Sequence, residues 1–347
     1  MTSTVPLLDD RATAPPVLAV IVNYRTPALA LACVEAVRTC GQGMALEIVV
    51  VDGGSADGSA DILARGLAHA GKEVTLMPLT LNGGFGWANN QAIRARRAAG
   101  SPFRYVWLIN PDALPRPDAL IQLVAALERQ TDVAAAGSRL IGDDGAVLGS
   151  AFRFPTPARE FFRMTALGAL ERLCGMAPLR IDCNQPCAAD WVTGASVLLR
   201  RQALEQVGLF DEGFFLYFEE VELMRRLRRG GWRVLHIPAS VVTHEGGAAT
   251  GITTPGRALP DYWFRSRQRY FALAFGQRRA ALANAAFAVG ATIRLLRRLF
   301  TPGLASPRDE WRGVRRQGWW PRRAVARAAG TELTRAIGAP PAWMARP

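Results

Sequence analysis

Cysteine, histidine and long apolar runs are all scarce in this chain of 347 residues. The five cysteines (Cys33, Cys40, Cys174, Cys183, Cys187) form an odd, sparse set with no secretory signal before them. That argues against a disulfide framework and for a reduced, cytosolic setting. Cys183 and Cys187 could touch a metal, but no second pair stands nearby to complete a zinc site, so they read as ordinary loop or core thiols. No stretch reaches the ~20 apolar residues that a spanning helix needs. The nearest, residues 280–293, is interrupted by Asn284 and flanked by Arg278, Arg279, Arg294, Arg297 and Arg298. The apolar run at residues 17–22 is too short for a signal segment behind its polar, acidic leader, and reads as a buried strand. Two nucleotide signatures are also missing. There is no G-x-x-x-x-G-K-[ST], and Asn82-Gly83-Gly84-Phe85-Gly86 lacks the G-x-G-x-x-G spacing and follows the third strand rather than the first. A P-loop hydrolase and a nicotinamide enzyme are therefore disfavoured.

Positive charge is plentiful but unevenly placed. From Tyr262 onward there are 17 arginines and no lysine against three acids (Asp309, Glu310, Glu332), whereas residues 1–261 carry 25 basic and 26 acidic residues. A near-neutral, enzyme-sized body is thus joined to a basic tail, which suits nucleic acid, anionic lipid or an acidic substrate. The tail's arginines alternate with apolar residues and with Trp311, Trp319 and Trp320, and no nucleic-acid-binding fold is recognisable, so nucleic acid is not the expected partner. Residues 280–293, followed by RLLRRLF, read instead as an interfacial anchor for an anionic membrane surface.

Behind a leader expected to be disordered (residues 1–16), β-branched runs alternate with helical patterns, the mark of an α/β fold with a mostly parallel sheet. Strands are expected at 17–24, 47–52, 74–79, 104–110, 133–137, 191–199 and 232–238. Helices are expected at 28–39, 59–68, 88–98, 117–129 and 201–207, and a basic helical extension over 262–347. In such sheets ligands bind beyond the carboxyl ends of the strands. Asp52 ends the second strand, Asn82 follows the third, and Asn110-Pro111-Asp112 ends the fourth, so the three are expected to converge. Gly83, Gly84 and Gly86 would let the backbone approach a nucleotide closely, with Asn89 and Asn90 offering side-chain hydrogen bonds.

Five segments occur in a telling order: VVVDGGSADGS, LNGGFGWANNQA, LINPDALP, DWVTGASVLLRRQALEQVGLFDEGFFLYFEEVELMRRLRRGGWRVLHIP and VVTHEGG. Over roughly residues 17–275 the chain resembles family-two inverting glycosyltransferases, most of all the rhamnosyltransferase-like branch that builds bacterial surface polysaccharide. The stretch GSRLIGDDGAV…RFPTP at 137–157 shares the likeness. The resemblance implies a GT-A type nucleotide-sugar-binding fold over 17–261, with a nucleotide half (17–137) and an acceptor half (138–261).

It also implies roles. Asp52 would bond the base beside Asn23 and Tyr24, and Asn82, Gly84, Phe85 and Asn89 would line the nucleotide and diphosphate. Asp112 would hold a divalent metal, Mg²⁺ or Mn²⁺, with Asn110 where the family's first aspartate stands and His244 as a second ligand. Trp191, Thr193 and Gly194 would wall the acceptor, and Asp211 with Glu212 would position the same loop. Glu219-Glu220-Val221-Glu222 occupies the place of the family's Glu-Asp-x-Asp, so Glu220 would be the general base that deprotonates the attacking hydroxyl. Both usual aspartates are glutamates here, and ~1 Å of misplacement can cost ~100-fold in rate. A non-catalytic relative that binds sugar nucleotides is thus the competing expectation. The implied donor is dTDP-L-rhamnose, or else a UDP-hexose or UDP-galactofuranose. The implied acceptor is a glycan or polyprenyl-linked glycan, and the implied location is the inner face of a bacterial plasma membrane.

Overall fold

The computed structural model describes residues 11–168, 173–246, 258–301, 303–318, 329–341 and 343–344. In chain order the elements are β1 (Val17–Asn23), α1 (Pro27–Cys40), β2 (Leu46–Asp52), α2 (Ser59–Gly66), β3 (Val74–Pro78), α3 (Phe85–Ala98), β4 (Tyr105–Ile109), β5 (Ala113–Pro115), α4 (Ala119–Arg129) and β6 (Val133–Ile141). There follow β7 (Ala151–Phe152), α5 (Pro157–Thr165), β8 (Cys187–Ala189), β9 (Trp191–Val192), β10 (Ser196–Arg200), α6 (Arg201–Val207), α7 (Glu219–Arg229), β11 (Arg233–His244), α8 (Asp261–Phe275), α9 (Gln277–Arg297) and α10 (Arg308–Gln317).

The main sheet runs β3-β2-β1-β4-β10-β6-β11-β5, with β8 paired to β11. Its first half is parallel, and its side chains alternate between two cores as the two-residue period of a strand requires. Val17, Ala19, Ile21, Ile48, Val50 and Trp107 join the core beneath α1 and α4. Leu18, Val20, Val49, Val51, Val106 and Leu108 join the core beneath α3. Burial on both faces is why these strands are continuous apolar runs rather than alternating ones.

The second half departs from the sequence reading. Residues 191–199 are not one strand. β9 pairs with β7 in a separate two-stranded sheet, and the chain turns at Thr193-Gly194-Ala195. β10 then enters the main sheet antiparallel to both β4 and β6, which makes that sheet mixed. β11 continues past 238 to His244 by absorbing an irregularity between Ile237 and Val241. Pro238, which has no N–H for the ladder, falls there. Cys183 and Cys187 are joined as a disulfide, correcting the expectation of loose thiols. The five-residue turn that precedes β8 brings them together.

The two ends of the chain also differ from expectation. Residues 1–10 lie outside the described residues, but Arg11–Thr13 form a short 3₁₀ turn whose Arg11 Nη1 and Nη2 donate to Cys40 and Pro117 carbonyls at 2.9 Å each. Of the tail tryptophans, Trp319 and Trp320 lie outside the described residues, whereas Trp311 packs against the cluster of Phe264 and Phe287. α9 spans 21 residues, so the helix extends beyond the apolar run at 280–293 on both sides and is, by length and composition only, long and apolar enough to cross a membrane. One of its faces packs on α5, with Gly290 against the Phe161 carbonyl and the Met164 side chain. That face is held by the buried Arg267 of α8, which donates to Glu160 at 2.6 Å and to Asn284 Oδ1 at 2.7 Å. The described residues 329–341 return to α3: Trp87 Nε1 donates to the Ala339 carbonyl and Gly338 N–H to Gln91 Oε1.

Candidate active site

The strand ends converge as the alternation of strands and helices anticipates. Beyond β1 and β2, Asn23 Nδ2 and Ser55 Oγ donate to Asp52 Oδ1 at 2.7 and 2.6 Å, and Ser55 N–H donates to Oδ2 at 3.1 Å. Asp52 is buried and fixes this loop: Oδ1 accepts two hydrogen bonds and Oδ2 one, which leaves acceptor capacity on Oδ2. Tyr24, half-buried beside it, stacks under the Arg25 guanidinium. Gly54, at φ +68°, brings the loop against the backbone of Leu81 and Asn82, where a Cβ would lie 2.5 Å from Leu81 C. The ends of β2 and β3 therefore form one surface.

On that surface Asn82 Oδ1 accepts from the Gly84 N–H, turning the chain into α3. Gly84 sits at φ +91°, and its missing side chain leaves room for the Phe215 carbonyl, which accepts from the Phe85 N–H at 3.1 Å. No side chain fits there. Asn89 donates back to the Phe85 carbonyl, and its buried Oδ1 has no partner among the described residues. Asn90 does not face the cleft, correcting the expectation of a ligand contact. Its amide is spent on Phe210 O, Glu212 Oε1 and the Phe210 N–H.

The strand register assembles the second group. β5 pairs antiparallel with β11 so that Ala113 faces His244, which sets the preceding Asp112 beside that histidine. His244 Nε2 lies 3.1 Å from Asp112 Oδ1 and 3.3 Å from Asn110 Nδ2. Asn110 N–H also donates to the Ala195 carbonyl, so the Thr193-Gly194-Ala195 turn borders this group. Gly194 touches the Phe85 ring, and Thr193 N–H donates to Ser150 O. Trp191 stacks on Phe152, with ring centroids 4.4 Å apart, and donates to the Arg153 carbonyl.

A carboxylate, an imidazole and an amide in one cluster match what a hard divalent ion takes when diphosphate oxygens complete its shell. Among the described residues, no group of three or more His, Cys, Asp or Glu could hold a metal by itself.

The acidic block opens α7, and its three glutamates have separate surroundings. Tyr217 and Phe218 are both left-handed (φ +68° and +69°), a strained reversal for aromatic residues that aims the first helical turn. Glu219 is buried and Glu220 half-buried, and each keeps a desolvated Oε2 without a partner. Burial pushes the Glu220 carboxyl up to about 7. Burial, then the neighbouring Glu220 charge, holds Glu219 well above the usual carboxylate range. Glu222 differs: both its oxygens accept from Arg226 Nε at 2.9 Å, although burial still raises its pKa. Arg226 also donates to the carbonyls of Val207, Gly208 and Leu209. Glu222 and Arg226 brace the loop, whereas Glu219 and Glu220 each keep a carboxylate oxygen without a partner among the described residues.

Asp211 holds its loop from the interior. It is fully buried, paired through both oxygens with Arg269 and accepting from the Gly213 and Ala329 N–H groups. Glu212, equally buried, receives Arg94 at 2.6 Å and Arg335 at 2.5 Å. Loss of one partner from such a pair costs about 3–5 kcal/mol. Sequence reasoning missed Arg94, Arg226, Arg269 and Arg335. Only the Glu222–Arg226 spacing of four residues on one helix could have been noticed in advance.

A mixed GT-A-like sheet with this cleft defines a nucleotide-sugar transferase. Residues 15–270 match the family described as "Glycosyltransferase like family 2", and the chain belongs to it. It is 30% identical over 214 residues to the N-acetylglucosaminyl-diphospho-decaprenol L-rhamnosyltransferase of Mycobacterium tuberculosis, covering 59% of this chain and 68% of that one. It is 27% identical over 165 residues to rhamnosyltransferase WbbL of Escherichia coli, covering 46% and 60%. The mannosyltransferase PcManGT of Pyrobaculum calidifontis, solved with GDP-Man and Mn²⁺, shares the fold over 92% of both chains, with a TM-score of 0.56 at 18% identity.

Proposed function

We propose that the protein transfers L-rhamnose from dTDP-rhamnose to a hydroxyl of a polyprenyl-diphosphate-linked sugar, with inversion, at the inner face of a bacterial plasma membrane. Glu220 carries the reading: a half-buried carboxyl at the head of α7, with one unpartnered oxygen and a pKa raised by burial to about 7, suits a general base at neutral pH. It takes the proton of the acceptor hydroxyl as that oxygen attacks the sugar's anomeric carbon. The bond from that carbon to the diphosphate breaks as the new one forms, and the nucleoside diphosphate leaves with its electron pair. Asp52, Asn23 and Tyr24 receive the base, and Asn82, Gly84, Phe85 and Asn89 receive the diphosphate side. Mg²⁺ or Mn²⁺ held by Asp112 and His244, beside Asn110, would neutralise the charge on the leaving diphosphate.

The choice of rhamnose rests on the two curated rhamnosyltransferases to which the chain is similar, and that of a lipid-linked acceptor on the mycobacterial one. The test is a donor screen with Mg²⁺ and Mn²⁺, scored by nucleoside diphosphate release. Release from dTDP-rhamnose above all other donors supports the proposal. Release only from a UDP-hexose or UDP-galactofuranose replaces the donor. Release from none leaves a non-catalytic binding protein.

A further inference from the structure

A cavity of about 360 Å³ lies beside the segment that leads into Glu220, lined by Gly213, Phe215, Tyr262, Arg265, Ser266 and Trp343. Its volume is at the lower end of the ~300–1,000 Å³ typical of small-ligand pockets. Two of its walls come from outside the elements that build the donor cleft. Tyr262, Arg265 and Ser266 stand on α8, and Trp343 stands on the returning C-terminal segment, beyond the family match at 15–270.

The cavity is joined to the active site through Phe215. Its carbonyl receives the Phe85 N–H at the head of α3, while its ring meets Tyr262 at 5.4 Å and Trp343 at 5.7 Å, both edge to face. α8 is fastened to the same segment, since Ser266 Oγ donates to Leu216 O at 2.8 Å and Tyr262 stacks on Tyr217. The helix that presents Glu219 and Glu220 begins directly after Phe218. Trp343 is held on its side by a strap. Arg335 Nη2 donates to Pro340 O at 2.7 Å, Gly338 N–H to Gln91 Oε1 at 2.7 Å, and Trp87 Nε1 to Ala339 O at 2.9 Å. Arg265, at the mouth, is exposed and its guanidinium has no partner among the described residues.

We propose that this cavity is a subsite for the acceptor, in which a pyranose ring lies against the aromatic walls Phe215, Tyr262 and Trp343 while Arg265 meets the phosphate linked to that ring. This rests on the transferase reading above and deepens it. An apolar face of a sugar ring matches aromatic walls, whose rigid side chains lose little entropy on contact. An exposed guanidinium suits a phosphate, which it can bond through two N–H groups at once. The base stands in the first turn of the helix that follows the segment of Gly213 and Phe215, and the acceptor's hydroxyl must arrive at that base. Because Trp343 lies beyond the family match, the subsite is a feature of this chain's C-terminal strap, and acceptor choice is set there.

The experiment uses the full chain, with an N-acetylglucosaminyl diphosphate carrying a short prenyl tail as one probe and a neutral N-acetylglucosamine glycoside as the other. Trp343→Ala and Tyr262→Ala are expected to raise the KM of both probes about tenfold, the scale of losing one aromatic anchor, while the donor KM stays within about twofold. Trp343→Phe should recover most of the loss. Arg265→Gln should raise the KM of the diphosphate probe alone. Saturation-transfer NMR gives a readout that does not need turnover: wild type and Glu220→Gln should both show contact with the N-acetylglucosamine ring, and Trp343→Ala should need about ten times more probe for the same signal. The same probe titration in Trp343→Ala as in wild type, no contact in wild type, or a donor KM that moves as far as the acceptor KM would overturn the subsite. Turnover surviving in Glu220→Gln would overturn the base instead and leave the subsite standing.

Discussion

His244 Nε2 lies 3.1 Å from Asp112 Oδ1 although 131 residues separate them in the chain, and the pairing of β5 with β11 alone sets that distance. The contact joins the turn between β4 and β5 to the end of β11. Its chemistry suits a divalent ion shared with a diphosphate.

Asp112→Ala is therefore expected to lower sugar transfer by about 100-fold or more, the scale of losing charge stabilisation at a leaving diphosphate. His244→Ala should lower it less, because the carboxylate remains. Calorimetric titration of Mn²⁺ in the presence of nucleoside diphosphate should lose its heat in the first variant and weaken in the second. Undiminished Mn²⁺ binding by Asp112→Ala, with a native circular dichroism spectrum, would remove Asp112 from the site.

Glu220 should couple stability to pH. A carboxyl raised to about 7 in the folded state binds its proton more tightly than it does unfolded. Its contribution is therefore fully present below the unfolded pKa near 4.5 and is lost as pH rises through about 7. Removing the charge should relieve that loss. Glu220→Gln is expected to be more stable than wild type by about 1–3 kcal/mol at pH 8, and nearly equal to it at pH 4.5. Denaturant titrations at the two pH values check this. A variant no more stable at pH 8 would mean that the carboxylate is solvated.

A membrane contact is expected on the outward face of α9, where Leu282, Val289 and Leu296 recur every seven residues and Leu299 and Phe300 follow, all exposed. Arg278, Arg279 and Arg298 are exposed beside them. Each such arginine contributes about 1 kcal/mol near an anionic surface. Deleting the tail is the wrong test, because α9 covers α5 and residues 329–339 brace Glu212 and α3. Leu282→Glu with Leu296→Glu changes only exposed positions. The pair should abolish sedimentation with anionic vesicles at low salt without lowering Tm. Equal binding by wild type and variant, or no binding by wild type, would contradict the anchor.

Much of the fold was legible because a buried parallel strand is a continuous apolar run, and β1, β2 and β4 could be bounded by their composition alone. Asp52, Asn82, Asn110 and Asp112 were legible for the same reason, as polar residues at strand ends. What escaped depends on distant register. The turn at Thr193–Ala195 sends β10 antiparallel into the sheet, and nothing in that apolar stretch marks the break except one glycine. The fate of the tail was equally hidden, since Trp87 meets Ala339 across 252 residues and Arg335 meets Glu212 across 123. A run rich in arginine reads as a solvated or lipid-facing surface unless its buried partners are known. Arg267 with Glu160 shows how far that can mislead.

The central claim is that Glu220 deprotonates the acceptor, with Glu222 bracing the loop beside it. The most direct measurement is single-turnover transfer by Glu220→Gln and Glu222→Gln, alongside the affinity of each variant for the donor. Glu220→Gln should bind the donor as wild type does yet transfer roughly 100-fold more slowly or worse, the usual scale for a lost general base. Glu222→Gln should transfer at a rate nearer wild type while losing stability, because Arg226 would be left partly unpaired. A Glu220→Gln enzyme that transfers within about threefold of wild type, or a Glu222→Gln enzyme with the larger rate defect and an unchanged Tm, would contradict the assignment.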